Sequence, residues 1–265
     1  YNLIYDNGGY IINDDFMIYD CFKLGKSVQK CSSVYNFTGP QGFGIANMAD
    51  GLFAVRKLVY EDKKVSMKEL KEALAWNYDQ GLDAQSAGDI AQLVMKAMQK
   101  AGKNVDASTA ETLLRTLIGM KPGEQKTQRF KEIHDMIDEV PKFGNDIPEI
   151  DYFAREVAYT YTKPLQNYSN PRGGMFQAGL YPVSANVPLG GQTGATPDGR
   201  YAHTPVADGV SPSAGKDVKG PTAAATSVSR LDHFIVSNGT LFNQKFHPSA
   251  LSGREGLEKF VALIR

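Results

Sequence analysis

Seven polar side chains lie within one stretch rich in glycine and proline, and their types suit the binding of a small polar molecule. The stretch covers residues 170–200 and reads NPRGGMFQAGLYPVSANVPLGGQTGATPDGR. The seven candidates among its polar residues are Arg172, Gln177, Tyr181, Ser184, Asn186, Asp198 and Arg200. Glycine permits close backbone approach, and a few polar groups on rigid elements are what a small-molecule pocket requires. The alternative is a structural loop-and-strand segment without a ligand, which composition alone favours.

Two short apolar runs must position these side chains. Residues 175–181 and 183–189 alternate between apolar and other residues, and each run is bounded by Gly or Pro. This pattern predicts one or two short buried strands that are entered and left through tight turns. Pro182 lies between them and lacks a backbone N–H, so any strand must bend or end there.

Amphipathic patterns predict helices around this stretch. A helix over residues 45–60 carries Met48, Leu52 and Leu58 in its apolar stripe, and Pro148 begins a later helix at its first position. Residues 81–123 carry two amphipathic patterns, which indicate a helical hairpin on the surface.

Two Ser-x-x-Glu spacings predict capping boxes at helix starts. They are Ser66 with Glu69 and Ser108 with Glu111. In such a box the two side chains satisfy each other's free backbone N–H groups.

Composition and charge exclude several classes of protein. The 265 residues carry a formal net charge of +0, which gives no reason to expect nucleic acid or an anionic membrane as a partner. No apolar run approaches the roughly 20 residues of a membrane span. Cys21 and Cys31 are too few for a disulfide framework, so we expect a reducing cytoplasm and two buried, unreactive cysteines. His134 lies among acidic residues with the spacing of an exposed helix face, and we predict no metal site there.

The residues themselves do not name a reaction. The sequence contains no phosphate-binding glycine loop, nucleophile elbow, HExxH or CxxC motif. Helical patterns alternating with short strands predict an α/β protein with a polar-lined loop-and-strand region.

Four blocks of sequence, however, resemble the glycyl radical enzymes of the pyruvate formate-lyase-like superfamily. They occur in the order and at the spacing of that family. They are YNFTGPQGFGIANMADGLFAVRKLVYEDKK (35–64), PKFGNDIPEID (141–151), the stretch 170–200, and ADGVSPSAGKDVKGPTAAATSVSRLDHFIVSNGTLFNQKFHPSAL (207–251). The last two blocks are most similar to the B12-independent glycerol and 1,2-propanediol dehydratases.

This resemblance implies a fold, a chemistry and partners. The family fold is a ten-stranded α/β barrel surrounded by helices, of which the chain would be a portion. An activating enzyme with S-adenosylmethionine and an iron–sulfur cluster installs a glycyl radical, which passes to a cysteine that abstracts hydrogen from substrate. The resemblance further implies an anaerobic, cytoplasmic homodimer, with a bacterial microcompartment as an alternative location, acting on a small diol or polyol.

The chain departs from the family pattern in three ways. The cysteine loop and the glycine loop would lie outside residues 1–265, so we expect no catalytic residue, no bound cofactor and no glycyl radical domain in this chain. The helical hairpin at 81–123 is longer than in the diol dehydratases and is predicted to be an insertion. The chain itself would then be an inactive piece of a longer polypeptide, or a scaffold half that requires a second chain.

One position bears on the substrate. In the dehydratases the residue before the Pro of the Leu-Tyr-Pro motif is a pocket tyrosine, and it matches Tyr181 here. Choline- and isethionate-type lyases tend to have Phe there, and the isethionate type has Arg at the position of Gln177. The resemblance therefore implies substrate-binding roles for Tyr181, Gln177, Ser184 and Asn186 with a hydroxylated substrate. A choline trimethylamine-lyase or a formate C-acetyltransferase remains the alternative.

Overall fold

The computed structural model describes residues 19–27, 30, 35–82, 84–102, 106–118, 120–246 and 248–264. Helices dominate them: α1 (Tyr19–Leu24), α2 (Ile45–Val55), α3 (Met67–Ala75), α4 (Ala84–Lys100), α5 (Ala107–Leu117), α6 (Glu124–Glu139), α7 (Pro148–Leu165), α8 (Asn186–Gly191), α9 (Pro221–Ser229) and α10 (Gly253–Ile264). A π-helical segment, Arg56–Glu61, continues α2, and a 3-10 turn, Pro248–Leu251, precedes α10. In this part of the chain no helix is long and apolar enough to cross a membrane.

Several helix boundaries match their local sequence signals. Pro148 occupies the first turn of α7, as predicted. Ser66 accepts a hydrogen bond from the Glu69 backbone at 3.1 Å, and the Glu69 carboxylate accepts one from the Ser66 backbone at 2.9 Å. The first predicted capping box is therefore confirmed. Cys21 on α1 is buried as predicted, whereas Cys31 lies outside the described residues.

Helices α2 and α7 pack against each other in the hydrophobic core. Ala49 on α2 and Ala154 on α7 are fully buried, and small side chains at such positions let two helices approach closely. The rings of Phe53 and Phe153 meet edge to face with centroids 5.7 Å apart. Such aromatic pairs stabilise a contact beyond the area that they bury.

The buried face of α2 differs from the predicted apolar stripe. Leu58 is buried, but Met48 and Leu52 are 56% and 47% exposed, while Asp50 is fully buried. The prediction was wrong for Met48 and Leu52 because close packing against α7 selects the small residues of α2. Alanine and glycine contribute little to an apolar stripe but fit a tight helix–helix contact.

Three extended segments run side by side in parallel. Gln177 N donates to Thr38 O at 2.9 Å on one side of the middle segment, and Leu241 N donates to Leu180 O at 3.0 Å on the other. The predicted strand at 175–181 is thus an extended, doubly paired segment, although its pairing consists of isolated bridges within the described residues. Parallel pairing of segments distant in sequence is typical of α/β folds. The ten-stranded barrel remains a prediction.

Of the one or two strands predicted, only the first is present, and residues 183–189 do not form a strand. Their C-terminal half is helix α8, and a turn in which Ala185 N donates to Pro182 O at 2.9 Å leads into it. Val183 has a φ of 56° and is 74% exposed. Pro182 has no backbone N–H with which to continue the parallel pairing of residues 175–181, so the chain turns away there. None of the described segments forms a β-bridge with residues 183–189.

The predicted hairpin at 81–123 is present as helices α4 and α5, which pack against each other; residues 103–105 between them lie outside the described part. The capping box predicted for Ser108 and Glu111 was wrong. The N-cap of α5 is Asp106, whose carboxylate accepts from Thr109 N at 2.8 Å. Ser108 lies inside the helix. Asp and Ser are both good N-caps, and the neighbouring backbone geometry decided between them.

Candidate functional site

Tyr181 is held by a side chain from the neighbouring segment. The Asn238 side-chain amide donates to Tyr181 Oη at 2.9 Å. The backbone of Asn238 donates to Ala178 O at 3.0 Å, so the two side chains come from adjacent segments of the parallel ladder. Asn238 lies in an Asn–Gly pair that the sequence marks only as a turn, and its contact with Tyr181 could not be inferred from spacing.

Gln177 lines a separate groove of about 450 Å³ together with Phe37 and Met175. The backbone of this groove is held by Arg172, whose guanidinium donates to Phe37 O at 3.0 Å and Thr38 Oγ1 at 3.2 Å. Arg172 is therefore occupied by the loop, and Gln177 is one of the polar residues that line the groove, together with Tyr35 and Asn36.

Asn186 lies at the start of α8 and faces a larger cavity. Its side-chain amide donates to Val206 O at 3.2 Å, and its own carbonyl accepts from Val206 N at 3.2 Å. Ser184 is exposed in the preceding turn. The structure places Gln177 and Asn186 on two different surfaces, and neither surface includes Tyr181 or Ser184. Their shared role in substrate binding stays a prediction.

The larger cavity has a volume of about 720 Å³ and is lined by residues from five parts of the chain. Helices α2, α6 and α8 contribute Asn47, His134 and Asn186, and the loop 198–217 and residues 243–245 complete the wall. Asp198, Arg200 and Asn186 were among the polar residues singled out in the sequence. Asn47 and His134 were missed because they come from helices far away in sequence.

Asn47 and Asp198 form the centre of a buried polar network beside this cavity. The Asn47 side-chain amide donates to Asp198 Oδ2 at 2.6 Å and to Ser213 Oγ at 3.1 Å, while its oxygen accepts from Ala207 N at 2.7 Å. Asp198 Oδ1 accepts from Thr196 Oγ1 at 2.5 Å. The network therefore links α2 to both ends of the loop 198–217.

Arg200 is buried and its guanidinium is used to build the loop. It donates to the carbonyl oxygens of Gly194 and Tyr201, to Thr204 O at 2.6 Å, and to Thr196 Oγ1 at 3.1 Å. Burial lowers the pKa of Arg200 below its ordinary value. Because these loop oxygens satisfy the guanidinium, Arg200 serves the structure and has few donors left for a ligand.

His134 is buried, contrary to the prediction of an exposed helix face. Its ring stacks on Tyr201 with centroids 4.8 Å apart and meets Tyr78 edge to face at 4.8 Å. His134 Nε2 lies 2.9 Å from Gly199 O. His134 has the helical spacing of the buried residues Phe130, Ile133 and Ile137, so the apolar periodicity of α6 already placed it on the covered face. The prediction was wrong because it weighed only the neighbouring acidic residues. Within the described residues, no group of three or more His, Cys, Asp or Glu side chains has the arrangement of a metal site.

Asp50 is a fully buried carboxyl group on α2. Phe143 N donates to its Oδ1 at 2.8 Å, and its Oδ2 has no hydrogen-bond partner among the described residues. Burial raises the pKa of Asp50 to about 7, against the opposing effect of the Phe143 hydrogen bond and the nearby charge of Lys142. Burial likewise lowers the pKa of Lys142, whose ammonium donates to Ile137 O and Val140 O.

Comparison with protein families gives two matches that divide the chain. Residues 15–190 match the family model described as pyruvate formate lyase-like, and residues 206–265 match the one described as glycine radical. The second match differs from our expectation that no part of the glycyl radical domain lies in this chain, because residues 206–265 fit that model.

Curated relatives carry several different names. The chain is 34% identical over 255 residues to a probable dehydratase, YbiW, of Escherichia coli, covering 94% of this chain and 26% of that protein. It is 30% identical over 246 residues to trans-4-hydroxy-L-proline dehydratase of Clostridioides difficile, covering 93% and 25%. It is also 32% identical over 256 residues to indoleacetate decarboxylase of Tractidigestivibacter scatoligenes, covering 96% and 26%. The chain thus spans about a quarter of the length of these relatives.

Solved structures include two with high sequence identity. One, described as 1,2-propanediol dehydration in Roseburia inulinivorans, has a TM-score of 0.83 and 59% identity, covering 94% of this chain and 30% of that chain. The other is a glycerol-bound B12-independent glycerol dehydratase from Clostridium butyricum, with a TM-score of 0.65 and 44% identity, covering 94% and 25%. With its family model matched over residues 15–190, this chain belongs to the pyruvate formate lyase-like family of glycyl radical enzymes.

Proposed function

We propose that the polypeptide to which this chain belongs is a glycyl radical dehydratase that removes water from a small vicinal diol, such as propane-1,2-diol or glycerol. The observation that carries this proposal is the 59% identity, at a TM-score of 0.83, to the structure described as 1,2-propanediol dehydration. The net reaction converts the diol into an aldehyde and water. The glycyl radical would supply hydrogen abstraction from a hydroxyl-bearing carbon.

The residues of this chain would bind and orient the diol. We assign substrate-binding roles to Tyr181, Gln177, Ser184 and Asn186, although the described residues alone do not bring the four into one cavity. Tyr181 would make the hydrogen bond that recognises a substrate oxygen. The Asn238–Tyr181 contact supports this role because it fixes the tyrosine on a rigid, doubly paired segment. The hydroxyl of the half-buried Tyr181 accepts from Asn238 and still has its own proton to donate to a substrate oxygen.

A substrate panel on the full-length polypeptide, activated by its radical S-adenosylmethionine enzyme, tests the proposal. We expect propanal from propane-1,2-diol or 3-hydroxypropanal from glycerol. Trimethylamine from choline, or acetyl transfer to coenzyme A, would overturn it in favour of the C–N lyase or the acetyltransferase. Hydroxyproline belongs in the same panel, because one curated relative is named for that substrate.

Two variants connect the reaction to the assigned pocket. Tyr181→Phe removes only the hydroxyl, and we expect a higher KM for the diol. Tyr168→Phe makes the same chemical change at a side chain that is 63% exposed, and it should leave KM unchanged.

The proposal also includes a homodimer, a cytoplasmic location and a helical insertion at 81–123. Light scattering on the full-length protein tests the dimer: a monomeric mass would contradict it. Deleting the insertion tests whether α4 and α5 serve the reaction, since an added surface element should be removable without loss of aldehyde formation.

A further inference from the structure

The side chain of Asn238 occupies a space that two glycines leave open. A Cβ atom on Gly39 would lie 2.2 Å from Asn238 Nδ2, and a Cβ atom on Gly179 would lie 2.6 Å from Tyr181 Cε1 and 3.0 Å from Asn238 Nδ2. Neither glycine has a left-handed φ, so close approach, rather than backbone conformation, is what requires glycine there. Two neighbouring segments thus make room for one contact, Asn238 to Tyr181.

This contact determines the direction of the tyrosine proton. A tyrosine hydroxyl has one proton to donate and lone pairs that accept. The Asn238 N–H occupies an acceptor position on Tyr181 Oη, so the hydroxyl proton must point elsewhere. Among the described residues no protein acceptor receives it, which leaves the proton available to a ligand.

A second tyrosine hydroxyl, that of Tyr161, also has no acceptor for its proton among the described residues. Tyr161 Oη is buried without a hydrogen-bond partner in the described part of the chain. Tyr161 lies beside the residue that precedes Tyr181, because a Cβ atom on Gly42 would be 2.7 Å from Tyr161 Cε1 and 3.2 Å from Leu180 Cδ2. Burial raises the pKa of Tyr161. A buried hydroxyl without a partner costs free energy, and a ligand oxygen at this place would remove that cost.

We infer that Asn238 is a positioning residue that holds the Tyr181 hydroxyl as a hydrogen-bond donor towards substrate; the inference rests on the proposed diol dehydration. The substrate group at Tyr181 must then carry an acceptor oxygen, as each end of a vicinal diol does. A trimethylammonium group has no lone pair and would gain nothing from this donor. Asn238 thereby contributes to substrate selection without touching the reacting atoms.

Binding of propane-1,2-diol to the full-length, non-activated protein tests this inference by isothermal titration calorimetry. Asn238→Asp keeps the shape of the side chain but replaces its donor by a carboxylate, which would accept the Tyr181 proton and turn it away from substrate. We expect binding roughly five- to tenfold weaker, as for the loss of one hydrogen bond, for both Asn238→Asp and Tyr181→Phe. Asn167→Asp, the same change at an exposed side chain, should bind like the wild type.

The double variant separates positioning from a structural role. If Asn238 acts through Tyr181, then Asn238→Asp combined with Tyr181→Phe should be no weaker than Tyr181→Phe alone. Unchanged binding by Asn238→Asp, or additive losses in the double variant, would overturn the inference and leave the diol proposal intact. A wild-type protein that binds no diol would overturn both. Asn238→Ala, which removes the donor without adding a charge, repeats the test should Asn238→Asp fail to fold.

Discussion

Asn47 on α2 donates its side-chain amide to the Asp198 carboxylate at 2.6 Å, joining residues 151 positions apart. The same amide side chain also bonds Ser213 and the backbone of Ala207. One asparagine therefore ties a core helix to both halves of the loop that walls the larger cavity. Because Asp198 is 2% exposed, its carboxylate depends on such donors in place of water.

Asn47→Ala should destabilise the protein by about 2–4 kcal/mol, because it removes three hydrogen bonds and leaves a buried carboxylate short of a donor. The free energy of unfolding, measured in urea, checks this expectation. Asn167→Ala changes an exposed asparagine and should stay within about 0.5 kcal/mol of the wild type. A value for Asn47→Ala as small as that of the control would show that the network contributes nothing.

Arg200→Lys should cost about 2–3 kcal/mol of stability although it preserves the charge, because the loss of several hydrogen bonds to a charged group outweighs the retained charge. The guanidinium contacts four carbonyl oxygens and the Thr196 hydroxyl in a fixed planar arrangement, which an ammonium group cannot reproduce. Arg115→Lys is the matched control, since the Arg115 side chain is 79% exposed. Equal midpoints of urea unfolding for the two variants would contradict the loop-building role of Arg200.

Asp50 should make stability depend on pH in a defined direction. Its pKa is raised from 3.8 to about 7 in the folded protein, so the folded state binds its proton more tightly than the unfolded state. The contribution of Asp50 to stability is therefore greatest at low pH and is lost as pH rises from about 4 to about 7. Well above pH 7 the loss is complete and no further change is expected from this group.

Asp50→Asn should remove this pH dependence. The melting temperature of the variant, relative to that of the wild type, should rise between about pH 4 and about pH 7 and stay level above that range. Asp135→Asn, at an exposed carboxylate, should run parallel to the wild type over the same range. If the melting temperatures of Asp50→Asn and of the wild type changed in parallel with pH, Asp50 would titrate at its ordinary pKa.

Gly174→Ala and Gly88→Ala should change stability in opposite directions. A Cβ atom on Gly174 would lie 1.8 Å from the backbone oxygen of Asn36, so two backbone segments must separate to admit it. We expect a loss of more than about 2 kcal/mol. Gly88 lies within α4, and a methyl group added there would have no neighbouring atom within 4 Å among the described residues. Ala at this position should add about 0.5–1 kcal/mol through helix propensity. Thermal unfolding monitored by circular dichroism shows whether each variant is less or more stable than the wild type.

The sequence by itself determined what depends on neighbours along the chain. The Ser66–Glu69 capping box, the start of α7 at Pro148 and the paired segment at 175–181 all follow from residues within a few positions of one another. Family membership was also readable, because it rests on the order and spacing of short blocks. These features need no knowledge of what lies opposite in space.

Only the tertiary structure decided which faces are buried and which polar groups meet. His134 meets Gly199 and Tyr201 because a loop 65 residues later packs on α6, and Asp50 is buried beneath Phe143, 93 residues later, from whose backbone N–H it accepts a hydrogen bond. Residues 183–189 do not form a strand because, in the part of the chain that the structure describes, no segment pairs with them beyond Pro182. The Asn238–Tyr181 contact likewise spans 57 positions. Burial and polar pairing depend on partners brought together by folding, and periodicity within one segment carries no information about those partners.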